Sequence, residues 1–544
     1  MRPGLIPVEA SMFKKVLTAA GLATVLVWVV SAQSDLKSVV DKSMKAMGVE
    51  NVKTLTITAP EGGDGAVGQQ YNPRSDRWRW FADKNWVRSV DFDAKAWRDV
   101  RERGEGEPAG QCGGNGTTCP LSAITPQPPT VTTANNFNNQ IQFAMLPLGF
   151  LKMALEKNAT VSKERKFTVL TFPMENGTAY KTAVKGYIDD KGFVDRVETM
   201  IDQGMLGDIK WEVAFTNYKD FGGVKFPTSI VQRQGGPKIL EMAVSDVKTN
   251  QPVDLTPPAG RGGKGGPGGP GGGKGGAAKG GDGKGAAPEF AGGDGKGKGG
   301  PGGAPGGAPG GAGRGAPAAI ESEDLGGGFW LVTGGYGAVV ANFKDYIIVI
   351  EGPSGDMRVD QIISEAKRLV PGKPIKYVIN THAHFDHSQG LRDFVAEGAT
   401  IITNQGNKGY FEKVLANPHT LVPDNLQKKN AKPKIKVEYV GDKKVLTDGE
   451  HVIELHHLMN STHDVNMMVV YLPKQKILIE ADEFNVLNPT PTAPVPMPNQ
   501  YQVNLLANIE RLHLDVDRII PIHLPNPATR KVSLQELKFS AGKS

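Results

Sequence analysis

The chain has 544 residues, which at about 150 residues per domain excludes a single small fold. Its net charge of +6 says little about the folded parts, because eight basic residues against three acidic ones crowd into 259–319. What remains is close to neutral, so the sequence predicts no nucleic-acid partner and no basic groove for one.

Taken in chain order, Lys14 and Lys15 precede an apolar run over 16–30 that closes on Val30-Ser31-Ala32. A basic start, an apolar stretch and a small-residue exit predict a signal peptide over 1–33, and with it a periplasmic or secreted protein. The run is shorter than the roughly 20 residues of a membrane span.

Residues 34–258 form the first predicted domain. Leu36, Val39, Val40, Met44 and Met47 share one helical face over 35–48. Beyond them the pattern turns to alternation. Runs starting at Leu55, Arg77, Lys166, Lys210 and Ile239 each predict a half-buried antiparallel strand. The segment Asn217-Tyr-Lys-Asp-Phe-Gly-Gly-Val-Lys-Phe-Pro looks like a meander turn. Through it the domain resembles the curved sheet-plus-helix domains of bacterial lipoprotein carriers. Trp78, Trp80, Trp86 and Trp97 are four of the seven tryptophans. Alternation places them in a sheet core; an apolar or carbohydrate-binding surface is the competing reading. Cys112 and Cys119, the only cysteines, bracket a Gly-rich turn and predict a local disulfide in an exported chain.

Residues 259–319 are Gly, Pro, Ala and Lys with little else, too poor in apolar side chains to fold. As a coil their ends would lie roughly 40–45 Å apart. None of the lysines is followed by Ser or Thr, which excludes a phosphate loop. A tether of this reach permits contact between domains without a fixed interface, and delivery of an acylated or lipid-like substrate by the first domain.

The second domain, 320–544, holds all ten histidines, between 382 and 523. Thr381-His382-Ala383-His384-Phe385-Asp386-His387 follows the apolar strand Val378-Ile379-Asn380 and leads into a helix. The motif thus sits on a loop at a strand's C-terminal end, where α/β sheets build sites. In an extended loop, His382 and His384 point the same way and can grip one cation, while Asp386 and His387 reach a second. Zinc suits imidazole with carboxylate. Four residues cannot complete two shells, so further ligands are required. His463, Asp482 and His523 each stand at the exit of an apolar strand. His456 and His457 compete with His463 for its place.

These residues resemble the metallo-β-lactamase-fold hydrolases over nearly all of 320–544. The resemblance implies a multidomain chain whose C-terminal α/β part is a four-layer αβ/βα sandwich. The N-terminal part is expected to be mainly antiparallel β with an N-terminal helix. It further implies two zinc ions: one held by His382, His384 and His463, the other by Asp386, His387 and His523, with Asp482 bridging both. Asp386 would be the catalytic group, orienting water for attack on an ester, thioester, lactone or lactam carbonyl of a small molecule. Asp482 stands where β-lactamases of the family carry Cys or Ser, and is similar to the glyoxalase II, lactonase, alkylsulfatase and phosphodiesterase branches. A β-lactamase proper, a phosphodiesterase, a one-iron sulfur dioxygenase and a non-enzymatic metal-binding module are the alternatives. The proline-rich loop from Asn485 to Asn499 emerges beside Asp482, either as a wall selecting apolar substrates or as a plain crossover.

Overall fold

A computed structural model describes residues 35–66, 79–107, 125–257, 319–353, 356–430 and 432–544. The expected signal segment 1–33, the Cys112–Cys119 pair, Trp78 and the Gly-rich tract up to residue 318 lie outside the described residues. Among the described residues, no helix is long and apolar enough to cross a membrane.

Helix α1 spans 35–47 and buries Leu36, Val40 and Met47, the face that the spacing predicts. The strands β1 (Thr54–Ala66), β2 (Arg79–Asp91), β3 (Ala96–Glu107), β4 (Thr125–Pro126) and β5 (Thr130–Thr133) lead to two helices, α2 (Phe137–Ala144) and α3 (Pro147–Glu156). Then come β6 (Thr160–Glu164), β7 (Phe167–Asn176), β8 (Tyr180–Ile188), β9 (Val194–Gln203), β10 (Gly207–Phe221), β11 (Val224–Gln234), β12 (Lys238–Ala243) and β13 (Asp246–Thr249). They form one antiparallel sheet in the order β4-β3-β2-β1-β12-β11-β10-β9-β8-β7-β6, with β13 also on β1 and β5 on β3. Period-two alternation sends one face of each strand to the helices: Val40, Ile141, Phe150 and Leu151 share a buried cluster with Ile57, Leu170, Phe172 and Trp211. The expected meander turn is the β10–β11 hairpin, closed by Gly222 (φ 71°) and Gly223 (φ 97°). Trp86 and Trp97 are buried in the sheet core, and Trp86 Nε1 donates to Asp99 at 2.8 Å. Trp80 is half-buried.

The second domain is built on two further sheets. The first runs in chain order through β14 (Glu321–Gly326), β15 (Phe329–Thr333), β16 (Ala338–Asn342), β17 (Ile347–Ile350), β18 (Ile375–Ile379), β19 (Thr400–Asn404) and β20 (Val437–Val440). The second comprises β21 (Lys443–Thr447), β22 (Val452–His457), β23 (Met468–Leu472), β24 (Ile477–Glu480), β25 (Arg518–Pro521) and β26 (Val532–Ser533). Pairs β17–β18, β18–β19, β19–β20 and β24–β25 are parallel. Parallel strands are covered on both faces, which is why Ile347–Ile350 and Ile477–Glu480 read as unbroken buried runs. Phe329, Ile348, Ile402, Ile453, Val470 and Ile520 form a core shared by the two sheets. Helices α4 (Asp356–Leu369), α5 (Phe385–Ser388), α6 (Leu391–Ala396), α7 (Tyr410–Val414) and α8 (Asn425–Lys429) accompany the first sheet in sequence. Helices α9 (Gln500–Arg511) and α10 (Leu534–Ser540) pack on the second, through Leu505, Leu506, Ile509 and Leu537.

A contact joins the two parts of the chain, where the sequence reading had allowed for contact without a fixed interface. The turn between β9 and β10 reaches the segment 417–421: Asp208 N donates to the Pro418 carbonyl at 2.8 Å, and Asn417 Nδ2 to the Leu206 carbonyl at 2.8 Å. The Asp208 carboxylate accepts from Thr420 N (2.7 Å) and Leu421 N (3.1 Å). These are pairings between segments more than 200 residues apart, and a linker's composition says nothing about them.

His419 is buried in this contact, 3.7 Å from Asp424. Burial lowers its imidazole to about 4 from the ordinary 6.5, and neighbouring Arg392 adds to the effect while Asp424 and Asp208 oppose it. The unfolded chain therefore binds more protons than the folded one between those values. Stability should be complete above about 6.5 and fall as pH drops toward 4, by on the order of 3 kcal/mol from this residue. His419→Gln should lose correspondingly less stability over that interval, as thermal unfolding at pH 7 and pH 4.5 will show.

Candidate metal centre

All seven residues singled out in the sequence converge at the strand exits of the second domain. Asn380–His387 leave β18, His463 lies between β22 and β23, Asp482 follows β24 and His523 follows β25. His382, His384, His463 and Asp482 bring one donor atom each to within 4.8 Å of one another; so do Asp386, His387, Asp482 and His523. Asp482 belongs to both groups. Its Oδ2 lies 3.2, 3.1 and 3.0 Å from Nε2 of His382, His387 and His463, and its Oδ1 lies 2.6 Å from Nε2 of His523. The rival histidines are engaged elsewhere: His456 Nε2 with Glu454 at 2.9 Å, His457 Nε2 with the Val465 carbonyl at 2.9 Å.

The loop geometry follows from its local hydrogen bonds. Buried Asn380 donates from Nδ2 to the carbonyls of His382 (2.6 Å) and His387 (3.0 Å), drawing the loop into a tight bend before α5. Thr403 Oγ1 bonds Asn380 Oδ1 at 3.1 Å and so ties this bend to β19. His382 Nδ1 contacts Thr381 Oγ1 at 3.0 Å, which leaves Nε2 facing Asp482. In the β22–β23 loop, Ser461 Oγ accepts from His463 N and donates to Glu483, fixing that backbone.

Two residues of the site escaped the sequence reading. Glu351, fully buried at the exit of β17, accepts Thr381 N at 2.9 Å and lies 2.9 Å from His387 Nδ1. It selects the ring orientation that aims His387 Nε2 at Asp386 and Asp482. The signal was available, since an acidic residue follows the apolar run Ile347–Ile350 directly, much as Asp482 stands just past its own strand. Tyr336, on the β15–β16 turn, donates to Asp386 Oδ2 at 3.4 Å and packs edge-on against His523, with centroids 4.7 Å apart. A lone Tyr in a turn carries no such signal. Glu351 (φ 79°) and Asp482 (φ 65°) both hold left-handed backbone. That costs roughly 1–2 kcal/mol for a residue with a Cβ, and is the kind of strain found at sites.

The charges balance through the carboxylates. Burial opposes the ionisation of Asp482, but His387 and His463 beside it hold it well below the usual carboxylate range. Burial likewise opposes protonation of His387, and the Asp482 and Asp386 charges reverse this and push it well up. His384, surrounded by other imidazoles, is driven well below its ordinary value, first by burial and then by His382 and His463. Burial pushes the Tyr336 hydroxyl up, Asp386 and Asp482 add to it, and so it stays a donor. The donor chemistry of these two His/Asp groups fits divalent metal binding: each gathers imidazole nitrogens with carboxylate oxygens, the first largely buried and the second open on the His523 side.

Beside His523 opens a cavity of about 240 Å³, lined by Asn485, Val486, Asn488, Leu524, Asn526 and Arg530 among others. The proline-rich loop supplies one wall of it. That wall offers Asn485 and Asn488 beside Val486, and Leu524 and Pro525 face them, so the cavity is lined by polar and apolar groups alike. Arg530 is paired with Glu536 and Thr490, which leaves the cavity without a free cation among the described residues.

Residues 344–523 match the family model described as metallo-beta-lactamase superfamily. No match is found among curated proteins. Among solved structures, the chain is similar to a metallo-beta-lactamase from Pontibacter korlensis at 17% identity, over 41% of this chain and 97% of that one, with a TM-score of 0.31. A metallo-beta-lactamase from Hirschia baltica is 18% identical, over 41% and 96%, with a TM-score of 0.31. FIM-1 from Pseudomonas aeruginosa, in its mono-zinc form, is 16% identical, over 41% and 93%, with a TM-score of 0.30. Likenesses at this level say nothing of substrate. The family match, falling on the residues that carry both His/Asp groups, makes this part of the chain a metallo-β-lactamase superfamily domain, that of a metallo-hydrolase.

Proposed function

We propose that the protein is a hydrolase of small carbonyl compounds (esters, thioesters, lactones or lactams) that works with two zinc ions. His382, His384 and His463 would hold one ion, and Asp386, His387 and His523 the other, with Asp482 shared. The observation that carries this reading is the position of Asp482, whose two oxygens meet four histidine nitrogens at 2.6–3.2 Å. The core between the two sheets, with helices packed on the second, supports a four-layer αβ/βα arrangement with the ions at the sheet edges.

When bound, the metal supplies Lewis acidity and lowers the pKa of a nearby water. The chain's own residues do the rest. Asp386 accepts a proton from the attacking water and can return it to the leaving group. Tyr336 holds that carboxylate in one orientation, at 3.4 Å. Glu351, Thr381 and Asn380 keep the imidazoles aimed inward, so little reorganisation is left for the reacting state. The cavity beside His523, lined by asparagines together with Val486, Leu524 and Pro525, would receive part of the substrate. A shared carboxylate, where a β-lactamase of the family has Cys or Ser, favours the ester, thioester and lactone end of this range.

The test uses the full-length protein on a chromogenic ester, thioester, lactone and cephalosporin, with and without a chelator. The expected result is chelator-sensitive turnover, strongest on the first three. Turnover unaffected by the chelator, or none on any carbonyl from a metal-loaded sample, overturns the proposal.

A further inference from the structure

The β9–β10 turn, Gln203–Asp208, belongs to the first domain but ends beneath the metal-binding loop of the second. Its shape is set from within: Gln203 Oε1 accepts Met205 N at 2.9 Å and Leu206 N at 2.8 Å. Met205 is fully buried and Leu206 nearly so, although both sit at the tip of a hairpin, where side chains are ordinarily exposed. Their cover comes from the other domain. Met205 Sδ lies 3.6 Å from Ser388 Oγ, the residue after His387. That hydroxyl is also 2.8 Å from the His384 carbonyl and 3.2 Å from the Ala383 carbonyl. Ser388 is therefore the point at which the hairpin meets the bend carrying His384, Asp386 and His387.

The fit is close on either side of Met205. A Cβ on Gly204 would fall 1.9 Å from Gln389 Nε2, and one on Gly207 (φ 76°) would fall 2.4 Å from the Pro418 carbonyl oxygen. Beyond Gly207, Asp208 latches onto Thr420 and Leu421. The latch rests on a firm base, because buried Arg392 of α6 binds Asp424 and the carbonyls of Leu415 and Asn417.

We propose that this hairpin is a positioning device for the second metal group: Met205, held by the Asp208 latch, backs Ser388 and so fixes the α5 turn that presents Asp386 and His387. The first domain is then part of what makes the second competent, and Met205 is a positioning residue that touches neither metal nor substrate. The other group shares His384 with this bend but takes His463 from the β22–β23 loop, so the hairpin bears on it less. This inference rests on the two-metal reading above.

The experiment titrates the metal-free, full-length chain with cobalt(II), whose visible absorption reports the coordination of each site. Wild type is expected to take two equivalents. Met205→Ala should bind the first as wild type does and the second about tenfold more weakly, within the range for residues that support ligands. Its second-equivalent spectrum should change, and Met205→Leu, which refills the volume, should restore both. Asp208→Ala, at the half-buried latch, should weaken the second equivalent in the same direction and serves if Met205→Ala does not fold. Wild-type affinity and spectrum for the second equivalent in whichever of these variants folds, with only the thermal transition lowered, would overturn the proposal. A wild-type chain that takes up no cobalt strikes instead at the metal reading itself.

Discussion

Asp482→Ala is expected to abolish turnover and release metal from both groups. Its carboxylate is the one group within 3.2 Å of four histidine nitrogens. It is also the leading charge that raises His387 and His463 against the effect of burial. Without it, the first group is left with imidazoles alone and the second with Asp386 as its one carboxylate. Activity should fall on the order of 10³-fold or more, because ligands acting as a unit are lost together. Elemental analysis should find less than one equivalent of metal in the variant, and a variant that keeps two would show that Asp482 bridges nothing.

Asp386→Asn should produce nearly as large a loss for a different reason. The substitution keeps the size of the side chain and removes its charge and its capacity to take a proton. Loss of general acid–base chemistry costs about 10²–10⁴-fold in kcat. The first group contains no atom of Asp386, so at least one equivalent of metal should remain. Steady-state kinetics beside metal analysis separate the two variants. Asp386→Asn should be slow but metallated, and Asp482→Ala slow and empty.

Most of the site was legible in the sequence because its residues share one local signature. His382, Asp482 and His523 each follow a short apolar strand, and in an α/β sheet the ends of such strands meet at one edge. The i, i+2 spacing in the loop predicted that His382 and His384 face the same way, and their rings lie 4.5 Å apart. His463 was less secure, since His456 and His457 precede it by a few residues. Only the pairing of His456 with Glu454 and of His457 with a backbone carbonyl separates them from the site. Glu351 shows the same strand-exit signature and was overlooked because Glu does not belong to the motif.

The remaining features depend on contacts between distant segments. Tyr336 reaches Asp386 across 50 residues, and nothing near it in the sequence marks the approach. Nothing in the sequence marks Met205 and Leu206, and their burial depends on Ser388 and Asn417, more than 180 residues away. The composition of the tract after 258 could not show whether the parts of the chain beside it touch. In the first domain, alternation gave five of the strands, because a sheet with one covered face repeats every second residue, and helical spacing gave α1; the other strands and α2 and α3 went unread. What that domain binds is written in no such pattern.

The most direct test of the central claim is the metal content of the full-length protein, measured by elemental analysis after purification without added metal or chelator and repeated after zinc saturation and desalting. Two equivalents of zinc per chain, falling below one in Asp482→Ala, is the predicted result. A chain that retains a single ion after saturation, or a single iron as purified, would contradict it.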